Sequence, residues 1–392
     1  MQVPEREFRF IEGVRALGSI QILLNHYVFL FFPVLVRIAP AEPHSWMVWA
    51  ANSPLFFLLD GSIAVFCFFL MSGQVLTFAF LNSSLALPAQ VVKRFLRLFL
   101  PVLGSLILAT ALFALLPGLT RELEALNPTF WVSKLHQFAI TPDAIPFRDI
   151  FLNSMLLGYK GASVFDYTVF SAFGITPQGL PNSLNPPLWS LHFEFWGSVL
   201  TIFLCWLYRR LPRKVFWVVF AVCFAAVAVT PLSVFLVGFL AYVFRHLYET
   251  IRSGWLTSIS SLVLIVSGIL ISSYSPLVSV VGYLEEKQII AVMMFVAVLL
   301  SPALQRFLSA PVFLWMGRMS FSLYVIHFPL LFTVFAAFFL WLEPVMGYTN
   351  AALVTTVAGV PLSILLSVAF ERLVDRPSIA LARRVGNLIS RR

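Results

Sequence analysis

Arg15 and His26 stand eleven residues apart in one apolar stretch, IEGVRALGSIQILLNHYVFLFFPVLV, covering residues 11 to 36. At 100° per residue this spacing is three helical turns plus about 20°, with a rise of about 16 Å, so both side chains fall on one face of one helix. A cation at the mouth of a membrane and a protonatable ring near the middle of a core about 30 Å thick are a costly pair at that depth, of the kind that lines a cavity or pathway. A surface anchor and an interhelical hydrogen bond would use the same two residues, and spacing alone does not separate the readings.

Four more stretches carry groups that a bare membrane scaffold does not need. In GSIAVFCFFLMSG, following Asp60, Ser72 and Gly73 sit in an aromatic run, where glycine admits a ligand or a neighbouring helix at close range. VVKRFLRLFLP places Arg94 and Arg97 three residues apart, beside Lys93, on a helix face able to hold phosphates or anionic lipid. NPPLWSLHFEFWGS, residues 185 to 198, starts a helix at two prolines and carries Trp189, His192 and Glu194 into an apolar region, where a carboxylate needs a partner or a task. MGRMSFSLYVIHFPLL sets Arg318 nine residues ahead of His327, two and a half turns, so these two point to nearly opposite faces. The charged end formed by Glu371, Arg372, Asp375 and Arg376 reads as an anchor.

The elements that must position these groups are membrane helices. The chain is 60% hydrophobic, 16% aromatic and only 11% charged, with mean hydropathy +0.92, far from the quarter charged of an ordinary soluble domain. The expectation is an all-α polytopic transmembrane bundle of about ten spans, near 15–37, 55–80, 95–117, 187–207, 215–230, 232–247, 256–275, 287–304, 319–341 and 351–373. Over alternating loops, twenty of the 26 Lys and Arg fall on the side of the N-terminus, which places both termini in the cytoplasm and explains the basic balance without nucleic acid. Cys67, Cys205 and Cys223 lie in apolar runs with no metal-ligand spacing, and no metal is expected. The N-terminus does not read as a cleavable signal. The single domain, 1–392, has one long outer loop, 118–186, where Phe147 to Leu157 suits an interfacial helix, and no appended soluble domain.

Taken together, Gly13-Val14-Arg15-Ala16-Leu17 with His26, FFLMSG at 68–73, KRFLR at 93–97, NPPLWSLHFEF at 185–195, MGRMSFSLYVIH at 316–327 and VDRPS at 374–378 resemble the membrane-bound acyltransferase 3 family, in order and over essentially the whole chain. The resemblance implies an enzyme that takes an acyl group, usually acetyl, from cytoplasmic acyl-CoA to a hydroxyl of an envelope carbohydrate, or in some members of a lipid or secondary metabolite. It implies donor and catalytic roles for Arg15 and His26, a coenzyme role for Arg94 and Arg97, and a match for Glu194 in the W-S-x-x-x-E stretch. Phe66 stands where many members carry Asp, and Gln74 where they carry an aromatic, which leaves the acceptor open.

On this reading neutral His26 is the general base and Glu194 orients the imidazole or the acceptor, an acyl-His intermediate being the variant. Arg15, Arg94, Arg97, Ser72 and Gly73 are expected at the acyl-CoA. Trp189, His192 and His327 are expected on the substrate side. The location is a multi-pass position in the plasma (inner) membrane, in contact with lipid. The competing class is a proton-coupled transporter or flippase of an envelope precursor, with His26 and Glu194 as a relay. No internal repeat or pair of broken helices supports it.

Overall fold

The computed structural model describes residues 8–38, 45–126, 132, 145–165, 179–251, 254–275 and 283–390. The apolar runs become α1 (Arg9–Phe31), α2 (Gly61–Leu81), α3 (Leu87–Leu115), α4 (Trp189–Arg210), α5 (Arg213–Val227), α6 (Leu232–Val243), α7 (Trp255–Tyr274) and α8 (Tyr283–Leu300). They continue as α9 (Pro311–Leu330), which passes through a wider π-helical turn at Leu331–Phe335 into α10 (Ala336–Met346). Then α11 (Tyr348–Phe370) passes through a second such turn, Glu371–Asp375, into α12 (Arg376–Ser390). Among the described residues there are two isolated β-bridges and no strand. A chain that must satisfy its backbone inside lipid has this solution or a closed barrel.

Seven of these helices or continuous helix pairs are long and apolar enough to cross a membrane, and two bent pairs raise the number to nine. The ten spans expected from sequence are therefore not reached among the described residues. The 215–230 stretch forms only the 15 residues of α5, about 22 Å of helix against a core of about 30 Å. Two further spans are broken. The path from α6 into Arg245–Ile251 turns by 61°, and the path from Glu285–Leu300 into Pro302–Leu308 turns by 97°. The second span starts later than expected, because Pro54–Leu59 is a tight 3₁₀ turn whose Phe57 and Leu59 carbonyls accept from Gln21 at 2.6 Å and Asn25 at 2.5 Å.

Close backbone approach fixes the centre of the bundle. A Cβ at Gly317 of α9 would strike the Glu12 backbone of α1, and one at Gly73 of α2 would strike the Phe235 backbone of α6. Small residues at such crossings let dispersion act between helices where the hydrophobic effect gives little drive. The first crossing brings α1 and α9 together as parallel neighbours. The second buries the α2–α6 seam, where Phe69 stacks on Phe235 at 5.0 Å between centroids.

The 118–186 loop is tied down by one carboxylate. Asp149, buried in the π-helical stretch Asp149–Leu157, accepts from the Ser183 hydroxyl at 2.9 Å, the Leu184 amide at 2.7 Å and the Tyr159 hydroxyl at 3.2 Å. These bonds join two parts of the 118–186 loop just ahead of α4. The expected interfacial helix near Phe147 to Leu157 is the segment that carries them. Residues 127–131, 133–144 and 166–178 of that loop lie outside the described residues.

Candidate active site

A chamber of about 380 Å³ opens where the start of α1 meets α12, since Ile11, Glu12 and Arg15 line it together with Ile379, Ala382 and Arg383. Both ends of the described chain thus lie at one end of the bundle. Its walls combine charged side chains with an apolar set that includes Phe68, Phe69, Met71 and Leu191. Such a shape takes a ligand with an anionic head and a less polar arm.

Arg15, Arg94 and Arg97 all line this chamber. Arg94 forms an ion pair with Glu194 across α3 and α4, while its Nε donates to Ser198 Oγ at 2.9 Å. The Ser72 hydroxyl donates to the same Glu194 Oε1 at 2.6 Å, so α2, α3 and α4 meet at one carboxylate. Arg97 forms a two-armed pair with Asp375, the second arm at 3.3 Å, and its guanidinium stands 5.0 Å from the Phe321 ring centre. Arg15 donates to Glu12 one turn earlier at 3.2 Å. Each of these three arginines is therefore held by one carboxylate. Across the chamber walls the cations still outnumber the acids, with Arg15, Lys93, Arg94, Arg97, Arg318 and Arg383 against Glu12, Glu194, Glu371 and Asp375.

The local sequence explains this assembly. Arg94 and Arg97 share a helix face because they are three residues apart. The wider turn at Glu371–Asp375 keeps both carboxylates buried and aimed inward at the end of an otherwise apolar helix. π-helical turns of this kind recur at functional sites.

One turn beyond the chamber floor lie two histidines. The floor is Tyr324, whose hydroxyl donates to the Pro187 carbonyl and shares a 2.6 Å hydrogen bond with Ser190. Next along α9 comes His327, with Nδ1 at 2.8 Å from the Tyr324 carbonyl and 3.0 Å from the Leu323 carbonyl. Carbonyls only accept, so His327 Nδ1 carries a proton and its Nε2, in the neutral ring, is an acceptor. His26 Nδ1 lies 2.9 Å from the Ile22 carbonyl and 3.1 Å from His327 Nε2. Both partners accept, which assigns the His26 proton to Nδ1 and leaves the lone pair on Nε2. Among the described residues His26 Nε2 has no hydrogen-bond partner. The two rings are 4.9 Å apart and neither forms part of the chamber wall.

The remaining sequence-nominated residues stand elsewhere. Gly73 turns from the chamber to the α6 backbone. His192 is fully bonded, its Nδ1 at 3.1 Å from the Met155 carbonyl and its Nε2 accepting from the Val164 amide at 2.9 Å, so it clamps the 145–165 segment to α4. Trp189 packs edge-on against Phe193. Asp149, in that same segment, is pushed up to about 6 by burial, against the pull of its hydrogen-bond donors. Glu194 pairs with Arg94 and Ser72, whereas the ring that meets His26 is His327.

Sequence reasoning did not single out Asp375, Glu371 and Tyr324 as site residues. Two carboxylates four residues apart at the end of an apolar helix were the available signal for the first two. For Tyr324 there was none, since tyrosine in a membrane helix is common.

A family model described as an acyltransferase domain matches residues 8–372. No curated protein and no solved structure matches the chain.

Proposed function

The chain belongs to the acyltransferase 3 family, and from that premise we propose that it is an integral-membrane O-acyltransferase with a CoA thioester, acetyl-CoA in the first instance, as donor. The acceptor is a hydroxyl of an envelope carbohydrate, and the membrane is the plasma (inner) membrane with the chamber open to the cytoplasm. The observation that carries the reading is the surroundings of His26: its Nδ1 faces the Ile22 carbonyl at 2.9 Å and His327 Nε2 at 3.1 Å, which assigns the proton to Nδ1 and a lone pair to Nε2, with nothing bonded to it among the described residues.

The chemistry follows from the two halves of the site. Arg15, Arg94, Arg97 and Lys93 meet the donor's diphosphate by charge-assisted hydrogen bonds, which are among the stronger contacts a protein makes. The pantetheine arm then runs inward past the apolar wall and Tyr324, over a rise of about 16 Å between Arg15 and His26. His26 Nε2 takes the acceptor's hydroxyl proton as the oxygen attacks the thioester carbon. The C–O bond forms, the C–S bond breaks, and the proton passes from imidazolium to the leaving thiolate. Glu194 is a positioning residue in this scheme, holding Arg94 and Ser72 in place.

The test is thiol release from acetyl-CoA by the protein in lipid nanodiscs with an envelope glycan extract. His26→Gln should cut acceptor-dependent release by about 10²- to 10⁴-fold, the usual worth of a general base, and leave acetyl-CoA binding intact. Normal release by that variant would refute the role of His26. Absence of acetyl-CoA binding by the wild type would refute the donor.

A further inference from the structure

Beside the chamber is a second cavity, of about 260 Å³, between α9 and the turn joining α11 to α12. Arg318, Arg372 and Arg376 line it with a single carboxylate, Glu371, and Trp315, Met319 and Val368 complete its wall. Arg376 Nε donates to Glu371 at 2.6 Å. Arg318 and Arg372, by contrast, have no carboxylate partner among the described residues. In the chamber Arg15, Arg94 and Arg97 each hold one, while Lys93 and Arg383 have no carboxylate ion pair among the described residues. The two cavities share Arg318 and Glu371, so they are neighbouring compartments of one surface.

The charges show why one compartment is not enough. Eight cations and four carboxylates line the two together, an excess of four, and only half of that excess belongs to the chamber alone. A CoA thioester carries about four negative charges at neutral pH, two on its diphosphate and close to two on its terminal phosphate monoester. A ligand with two separated anionic groups matches two adjoining basic compartments. A ligand with one does not.

We propose that the second cavity is a phosphate-monoester site, in which Arg318 and Arg372 hold the 3′-phosphate of the donor while the chamber holds its diphosphate. The proposal rests on the acyl-CoA reading above and adds a specificity site to it. The two guanidiniums without a carboxylate supply the planar donor forks that suit a phosphate oxygen pair. The apolar wall gives the attached nucleoside a surface to lie on. The same chemistry would hold the phosphate of an anionic lipid, and the test separates the two sources.

The full-length protein is placed in nanodiscs of phosphatidylcholine and titrated with acetyl-CoA and with 3′-dephospho-acetyl-CoA. The wild type should prefer the phosphorylated donor by about tenfold or more, the difference expected when a charged group brings its own hydrogen bonds to the complex. Arg372→Gln should weaken acetyl-CoA by that factor while leaving the dephospho compound unchanged, and Arg318→Gln, whose residue also lines the chamber, should weaken acetyl-CoA more than the dephospho compound. Both residues are exposed, so folding is not at stake, and Arg384→Gln on α12, outside both cavities, should change neither affinity. Equal affinity of the wild type for the two donors, or equal weakening of both by the variants, overturns the inference while the acyl-CoA reading stands. If neither donor binds, that reading falls first. A lipid source would appear as no preference between donors in phosphatidylcholine, together with retention of phosphatidylglycerol in native mass spectra of the wild type and its loss in Arg372→Gln. That pattern also overturns the inference.

Discussion

Replacing Glu194 by Gln keeps the shape of the side chain and its bond from Ser72 but removes the charge that faces Arg94. Breaking a buried ion pair by deleting one partner costs about 3–5 kcal/mol. Here the side chains of Arg94 and Glu194 are 16% and 10% exposed at the edge of the chamber, so some water reaches the pair and the lower figure applies. The thermal midpoint in nanodiscs should therefore fall by several degrees in the absence of donor. The donor should then reverse much of that loss. At a hundred times Kd a ligand stabilises the wild type by about 2.7 kcal/mol. In Glu194→Gln its phosphate also replaces the missing carboxylate at Arg94, so acetyl-CoA should bind more tightly and raise the midpoint further than in the wild type. A tenfold gain in affinity corresponds to about 1.4 kcal/mol. The assay is differential scanning of both proteins with and without acetyl-CoA, checked by direct titration. If the variant's ligand-induced shift is equal to or smaller than that of the wild type, Arg94 does not face the donor phosphates and this account of the chamber is wrong.

His327→Phe removes the second acceptor of the His26 Nδ1 proton, and should lower kcat by up to about tenfold, the worth of one hydrogen bond, with the donor KM unchanged; an effect confined to KM would place His327 at the donor instead. Gly73→Ala should cost about 1–3 kcal/mol of stability by driving α2 from the α6 backbone, seen as a lower midpoint with unaltered acetyl-CoA affinity, and a change in affinity alone would return Gly73 to the donor site. Asp149, raised to about 6 by burial from an ordinary value of 3.8, fits the fold best when neutral. Its segment should lose about 3 kcal/mol of local stability as pH rises from about 4 to 6, read as faster amide exchange over 149–157 after correction for intrinsic rates. In Asp149→Asn that pH dependence should be absent, and protection that increases with pH in the wild type would contradict the assignment. Tyr324→Ala should raise acceptor-independent thioester hydrolysis relative to transfer, and an unchanged ratio would show that Tyr324 is not a barrier.

What could be read from the sequence was what helix geometry decides locally. The eleven-residue spacing puts Arg15 and His26 along one face of α1, and the three-residue spacing gathers Arg94 and Arg97 into one wall. The nine-residue spacing in α9 separates two faces, with Arg318 lining the chamber and His327 turned to α1. What could not be read was which faces meet. Asp375 is 278 positions from Arg97, and His327 is 301 from His26, with no periodicity to couple them. The count of spans failed for a related reason. The 215–230 run is already short in the sequence, but hydropathy does not report that the chain bends by 97° before Pro302. Gly73 shows the same limit, because a glycine that admits a ligand and a glycine that admits another backbone look alike until the neighbouring helix is in place.

On the acyl-CoA reading, the separation of the charged chamber from the histidine pair has a chemical reason. A thioester is open to attack by water as well as by an acceptor hydroxyl, and a general base activates both. A lone pair placed among the wet arginines would serve water first. Here His26 Nε2 lies beyond Tyr324, which is pinned to Ser190 and the Pro187 carbonyl at the start of α4. The helix that supplies Ser190, entered directly from the Pro186–Leu188 turn, also supplies Glu194 to Arg94, four residues after Ser190. On the acyl-CoA reading, donor phosphates at Arg94 and the hydroxyl of Tyr324 would therefore bear on the same turn of α4, through Glu194 and Ser190. That shared turn is what would link an anion site to a base about 16 Å away.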